Sequence, residues 1–185
     1  MGRGLARRDA RRTRGGVIRV CFHGAESTGK SVLAEKLHRE FGIPWVPEYG
    51  RDYAERNGTQ FTMDDLLAIA AGQDAAMRSA AADQPALLIL DTDPLMTAAW
   101  AQMLFGTAPS VLLTYAKAER YLLFEPDVAW VGDGTRMFGS AKARGRFAQI
   151  AEAVLLQAGL SYQRIGGDWA QRERTVRQLL QLPDG

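Results

Sequence analysis

The sequence predicts an α/β fold, a three-layer sandwich in which a mostly parallel five-stranded sheet is covered by helices on both faces. Two observations predict it. Short apolar runs of strand length alternate along the chain with longer segments of helical period, the pattern of βαβ units. The strand-like runs are also apolar enough to be buried on both sides, as strands of a parallel sheet are. At 185 residues, 46% hydrophobic and 24% charged, the chain suits one domain with a well-buried core. No internal repeat, low-complexity linker or second core divides it.

The elements follow in order. Residues 17–22 (VIRVCF) form a first buried strand, rich in β-branched side chains. After a glycine-bounded loop, residues 31–41 carry Val32, Leu33, Leu37 and Phe41 at helical spacing, and Gly42 is placed to end that helix. Residues 43–46 make a second short strand between prolines. A long helix runs from Thr62 or Met63 to about Ala82, and Thr62 with Asp65 three residues on resembles a capping box. Residues 86–90 (ALLIL) are the third strand and stop at Asp91. Residues 96–105 are helical, and Pro109 introduces a further helical stretch. Residues 121–124 form the fourth strand. A glycine-dotted basic stretch, 132–146, leads into a helix reaching about Ala158. Residues 162–165 are the last strand, and 168–180 a terminal helix with Trp169, Val176, Leu179 and Leu180 on its apolar side.

Charge is unevenly distributed. Residues 1–16 hold six arginines and one aspartate, which leaves 17 basic and 20 acidic residues in 17–185. The domain is thus mildly acidic and the basic character belongs to the N-terminal tail. That tail lacks apolar periodicity and is expected to be disordered, a solvated extension of the domain at 17–185. A weak nucleic-acid or anionic-membrane tether is the alternative reading. With no aromatics to stack on bases, nucleic acid is not an expected partner. No apolar run is long enough to span a bilayer, and no signal peptide follows the arginines. The single cysteine, Cys21, and the two histidines, His23 and His38, exclude an intrachain disulfide and argue against a zinc site. A reducing cytoplasm fits this composition. The oligomeric state is left open.

The strongest chemical signal is Gly24-Ala25-Glu26-Ser27-Thr28-Gly29-Lys30-Ser31, a complete G-x-x-x-x-G-K-S between a predicted strand and a predicted helix. This is the P-loop pattern, and it makes the predicted sandwich one of the P-loop kinase type. Backbone N–H groups of Gly24, Ala25, Glu26, Ser27, Thr28 and Gly29 cradle phosphates, with the helix N-terminus through Val32 adding its partial positive charge. Lys30 reaches the β- and γ-phosphates of ATP, and Ser31 offers a hydroxyl to Mg²⁺.

Three further stretches bear on the site. Asp91 ends a buried strand at the edge where ligands bind in open α/β sheets, which suits a second ligand of Mg²⁺. Asp93 fits either a hydroxyl of the phosphate acceptor or the N-cap of the next helix. Glu48-Tyr49-Gly50-Arg51-Asp52 follows the second strand; Glu48 is placed to take a hydroxyl proton and Arg51 to orient an acceptor or a phosphate, though by themselves these residues also read as a solvated strand-to-helix turn. The run from Trp130 to Arg144 joins glycines to Arg136, Lys142 and Arg144, a basic lid suited to neutralising transferred phosphate, or else a solvated charged face.

Together the loop GAESTGKS, E-Y-G-R-D from Glu48, Gln73, the Asp91-Thr92-Asp93 triplet and W-V-x-D-G-x-R-x-x-G-S-x-K-x-R from Trp130 resemble the ribosylnicotinamide kinase domain of the NadR proteins. The resemblance covers the chain from about Val17 to its end. It implies transfer of the ATP γ-phosphoryl group to the 5′-hydroxyl of nicotinamide riboside, giving nicotinamide mononucleotide. It also implies Lys30, Glu48, Asp93 and Arg136 as catalytic residues, and Glu48, Tyr49, Arg51, Gln73 and Asp93 around the nucleoside. Two positions depart from the family's pattern: Pro47 replaces a tryptophan, and no aromatic follows Gln73, where Asp74, Ala75 and Ala76 stand. A ring sandwich would then have to come from Trp45, Tyr49 or Trp100. NadR proteins carry further domains that these residues do not supply, so a free-standing kinase is expected. The alternatives are a kinase for another nucleoside or small hydroxyl acceptor, and a regulatory ATPase that does no acceptor chemistry. No N-K-x-D guanine-reading motif is present.

Overall fold

The computed structural model describes residues 16–183. The expectation for the basic tail therefore lies, apart from Gly16, outside the described residues. Five strands form one sheet: β1 (Ile18–His23), β2 (Trp45–Val46), β3 (Leu87–Asp91), β4 (Arg120–Phe124) and β5 (Gln163–Ile165). Their order is β2-β3-β1-β4-β5, and every pairing is parallel. The chain moves from β1 out to the edge at β2, returns to β3, then crosses to the other flank at β4. That reversal leaves a crevice beyond the carboxyl ends of β1 and β3, where open α/β sheets bind ligands.

Among the described residues six α-helices cover the sheet: α1 (Lys30–Phe41), α2 (Tyr49–Asn57), α3 (Met63–Ala82), α4 (Pro94–Phe105), α5 (Ala141–Gln157) and α6 (Trp169–Leu180). Strand alternation divides the core in two. Val20 and Phe22 of β1, Ile89 of β3 and Leu122 and Phe124 of β4 pack with Leu33 and Leu37 of α1 and Val176 of α6. On the opposite face Cys21, Leu88, Leu90, Tyr121 and Leu123 pack with Leu66 and Ile69 of α3, Leu95 and Met96 of α4, and Phe147, Ala151 and Leu155 of α5. Both faces are therefore dry, which is why these strands read as near-continuous apolar runs.

Local signals behave as their chemistry requires. Gly42 closes α1 in the left-handed conformation, its N–H donating to the His38 carbonyl. Thr62 and Asp65 form the reciprocal capping box of α3. Four expectations need correction. The second strand is only two residues long, although the Pro44 carbonyl accepts from Ile89 N–H at 3.0 Å and so extends its ladder. The stretch after Glu48 is more than a strand-to-helix turn: from Tyr49 it is itself the helix α2, in which Ala54 alone is buried. The helical stretch after Pro109 is a single 3₁₀ turn, Ser110–Leu113. Trp169 is not on the apolar side of α6; it is 56% exposed. Among the described residues no helix is long and apolar enough to cross a membrane.

Candidate functional site

The P-loop leaves the carboxyl end of β1 and turns into α1. Gly24 (φ +128°) passes so close to β4 that a Cβ there would lie 2.6 Å from the Phe124 carbonyl oxygen. Gly29 (φ +88°) lies under the Trp169 indole, with a Cβ only 2.2 Å from the ring. Both positions admit only glycine. Gly29 is also the N-cap of α1, with no side chain capping the first turn and no acidic residue in it. Those amides and the helix dipole are available to an anion. Lys30 is buried, and its Nζ donates to the carbonyls of Gly24 (2.9 Å) and Ala25 (2.7 Å). Burial lowers its pKa, and the neighbouring Glu48, Asp91 and Glu26 carboxylates oppose that shift.

The loop is held from behind by Arg172 of α6, 1% exposed, a residue the sequence did not single out. Its guanidinium donates to the carbonyls of Gly167 (2.8 Å), Glu125 (3.0 Å) and Thr28 (3.2 Å) and pairs with Asp127. One side chain thus ties the ends of β4 and β5 to the phosphate loop.

At the end of β3 the chain makes an abrupt turn. Thr92 has φ +82°, an outlying conformation for a β-branched residue. In an extended continuation Asp91 and Asp93 would share one face; the left-handed residue between them separates their surroundings. Asp91 is buried, and its Oδ1 has no hydrogen-bond partner. Burial raises its carboxyl pKa, against the pull of the Lys30 ammonium and the Ser31 hydroxyl. Asp93 is the N-cap of α4: Oδ1 accepts from Leu95 N–H at 3.0 Å, and Oδ2 accepts from Tyr121 Oη at 2.5 Å. Of its two sequence readings the cap is the one observed. Both oxygens are engaged, and Asp93 is not on the wall of the cavity described next.

That cavity opens beside the P-loop, bounded by Lys30, Ser31, Glu48, Arg51, Gln73, Thr92 and Arg136, and continues into an apolar chamber of Phe61, Leu66, Ile69, Met96, Trp100 and Phe147. Glu48 precedes α2 and makes no capping bond with its side chain. Burial, reinforced by the Asp91 charge, raises its pKa above the ordinary glutamate value, while Lys30 and Arg51 pull it down. Gln73 reaches the wall, but its amide is tied to backbone: Oε1 accepts from Tyr49 N–H at 2.7 Å, and Nε2 donates to Pro47 (3.3 Å) and Thr92 (3.4 Å) carbonyls. Tyr49 does not line the chamber; its ring lies against Gly72. Trp45 belongs to the core on the opposite face. Of the three aromatics the sequence offered, Trp100 lines the chamber, flanked by Phe147 (centroids 4.7 Å apart), Phe138 (5.3 Å) and Phe61 (6.5 Å). Phe61 and Phe147 had no motif to mark them.

The glycine-dotted stretch lies across the P-loop. Val131 N–H donates to Ser27 Oγ (2.8 Å), and the amides of Met137 (3.2 Å) and Phe138 (2.6 Å) donate to the Glu26 carboxylate. Asp133 organises the lid: Oδ2 accepts from Arg51 at 2.5 Å and lies 3.0 Å from Arg136 Nε. Burial would raise the Asp133 carboxyl, but hydrogen bonds from Arg51 and Thr135 outweigh it and hold it well below the usual range. Arg136 Nη1 also donates to Ser27 Oγ at 3.2 Å and to the Val131 carbonyl. The basic lid is narrower than its composition suggests. Arg144 is bonded to the Val128 carbonyl at 2.9 Å, and Lys142 is exposed away from the cavity wall.

A family model described as an AAA domain matches residues 19–172. The trifunctional NAD biosynthesis/regulator protein NadR of Escherichia coli (strain K12) is 29% identical over 153 residues, covering 79% of this chain and 37% of that protein. The chain therefore spans little more than a third of that curated relative. The crystal structure of a NadR protein in complex with NR matches at TM-score 0.74 and 22% identity, covering 91% of this chain and 53% of the other. Thymidylate kinase from Ehrlichia chaffeensis matches at TM-score 0.61 and 11% identity, covering 90% of this chain and all of the other (100%). The fold is the one these P-loop proteins share.

Proposed function

The chain belongs to the AAA domain family, whose model spans residues 19–172, and from that premise we propose that it is an ATP-dependent nucleoside kinase acting on the 5′-hydroxyl of nicotinamide riboside. The observation that carries this reading is Glu48: a carboxylate on the cavity wall that makes no capping bond, raised in pKa by burial, between a phosphate loop and an apolar, aromatic-lined chamber. A regulatory ATPase has no need of a proton acceptor there. The NR-bound NadR structure and the NadR sequence relative support this choice of nucleoside.

In this mechanism the P-loop amides and Lys30 hold the β- and γ-phosphates, Lys30 exchanging its two carbonyl partners for phosphate oxygens. Ser31 and Asp91 would hold Mg²⁺, and the buried, unpartnered Asp91 Oδ1 is the kind of oxygen a hard divalent cation takes. Bound there, the ion supplies neutralisation of phosphate charge. The acceptor hydroxyl oxygen attacks the γ-phosphorus, its proton passes to Glu48, and the bond from the γ-phosphorus to the bridging oxygen breaks to leave ADP. Arg136, anchored by Asp133 and Ser27, faces the charge that spreads over the transferred group, and the chamber lined by Trp100 receives the base.

A kinase for a different nucleoside is the second reading, and one observation favours it: Pro47 and Ala75 are both exposed and bring no ring to the chamber. ATP consumption by the full chain across a panel of nucleosides tests the proposal. Turnover highest with nicotinamide riboside supports it. A preference for another nucleoside selects the second reading, and no acceptor-dependent turnover would leave the regulatory ATPase.

A further inference from the structure

Thr92 combines two features that ordinary packing does not account for. Its backbone lies at φ +82°, where a β-branched side chain is rarely found. Its hydroxyl is buried, with no hydrogen-bond partner, although the residue forms part of the cavity wall. Glycine would relieve the first feature and valine the second. A position that retains both is under constraint from something other than stability, because backbone strain of this kind persists where function requires it. An unpartnered buried hydroxyl likewise calls for an occupant.

The setting narrows what that occupant is. Thr92 does not stand at the phosphate loop, which follows β1; it stands at the end of β3, next to Asp91. Gln73 of α3 donates to its carbonyl at 3.4 Å. Met96 and Trp100 of α4 line the chamber beyond it. It thus lies where the polar end of the cavity meets its apolar end. A ligand spanning that boundary presents a flat ring to the aromatic end and carries hydroxyls toward the phosphate loop. A neutral hydroxyl both donates and accepts, so it pairs with a neutral hydroxyl at no cost in charge. Asp93, which the sequence offered for this task, has both oxygens engaged by Leu95 and Tyr121.

We propose that Thr92 Oγ1 is a binding residue for a sugar-ring hydroxyl of the acceptor, distinct from the hydroxyl that is phosphorylated, and that the left-handed turn at Thr92 exists to deliver it. This rests on the reading of the site as a nucleoside kinase. A wall that bonds a substrate hydroxyl discriminates against analogues lacking it, because its own polar group is then left unpaired.

The test compares the full-length parent with Thr92→Val, Thr92→Ser and Thr92→Gly, using the best ribonucleoside acceptor and its 2′-deoxy and 3′-deoxy analogues. In the parent one of the two analogues should show an acceptor KM raised about tenfold. Thr92→Val should raise the KM for the complete ribonucleoside by a similar factor, abolish discrimination against that analogue, and leave the KM for ATP unchanged. Thr92→Ser should retain both affinity and discrimination. Thr92→Gly should unfold at a higher temperature than the parent yet bind the acceptor as weakly as Thr92→Val. Turnover with unchanged acceptor KM and discrimination in Thr92→Val overturns the Thr92 assignment alone. No turnover with any nucleoside in the parent overturns the kinase reading, and the assignment with it.

Discussion

The guanidinium of Arg172 donates to the main-chain carbonyl of Thr28 at 3.2 Å, linking α6 to the underside of the phosphate loop across 144 residues of sequence. The same group serves Gly167, Glu125 and Asp127. Arg172→Met keeps much of the side-chain volume but leaves several acceptors without a donor. The expected loss is about 3 kcal/mol, a fall in thermal midpoint of roughly 6–12 °C for a domain of this size. A calorimetric midpoint equal to the parent's would show that the bracing is not structural.

Lys30→Ala removes the ammonium that the mechanism assigns to the β- and γ-phosphates. Turnover should drop by at least about a thousandfold, as when a preorganised electrostatic contact is lost. The loop carbonyls of Gly24 and Ala25 then lose their donor, so the far-UV circular dichroism should be unchanged while the thermal midpoint shifts modestly. Retention of near-parental turnover would remove Lys30 from the mechanism.

Lid closure over the P-loop runs through the Glu26 carboxylate and the amides of Met137 and Phe138. With Glu26→Ala these amides lose their acceptor, and their hydrogen exchange should accelerate roughly tenfold or more. Global stability should change by no more than about 1 kcal/mol, since Glu26 is half-buried and its two bonds are confined to the lid. Equal exchange in both proteins would mean that other contacts hold the lid.

His23 provides a pH test of the core. Its Nε2 lies 3.0 Å from the Ala151 carbonyl, its Nδ1 has no partner, and burial lowers its pKa to about 4 from 6.5. The unfolded chain therefore binds this proton at higher pH than the folded one. Its contribution is full above about pH 6.5 and is lost as pH falls towards 4, about 3 kcal/mol in all. The half-buried carboxylate of Glu48 and the buried ones of Asp91 and Asp93 have raised pKa values and act in the opposite sense on acidification. The parent is therefore compared with His23→Asn, which cannot titrate. Urea unfolding at pH 7 and pH 4.5 should show the smaller acid loss in the variant; equal losses would contradict the assignment.

Much of this fold was legible because its signals are local. The G-x-x-x-x-G-K-S loop, the left-handed Gly42 cap and the Thr62–Asp65 box each need only a few neighbouring residues. What escaped depends on contacts between distant elements. Helix α2 has one buried residue, Ala54, and so no apolar stripe to give it a period. Arg172 reads as a charge on a surface helix until β4 and β5 surround it. Asp93 becomes a cap bonded to Tyr121 only once β4 lies beside β1. Trp169 looked like a core residue by spacing, yet it covers Gly29. Gln73, which the resemblance set beside the nucleoside, reaches the cavity wall, and its amide goes to backbone partners. The site was most legible along the P-loop backbone, and least where side chains from several elements enclose the cavity.

The central claim is that Glu48 takes a proton from a nucleoside hydroxyl as the ATP γ-phosphoryl group is transferred. The measurement that tests it most directly is nicotinamide mononucleotide formation from Mg²⁺-ATP and nicotinamide riboside, followed by mass spectrometry for the parent and for Glu48→Gln. Product should form in the parent, and kcat should be about 10²- to 10⁴-fold lower in the variant, with ATP affinity in the absence of acceptor unchanged. No product from the parent, or equal kcat in both proteins, would contradict it.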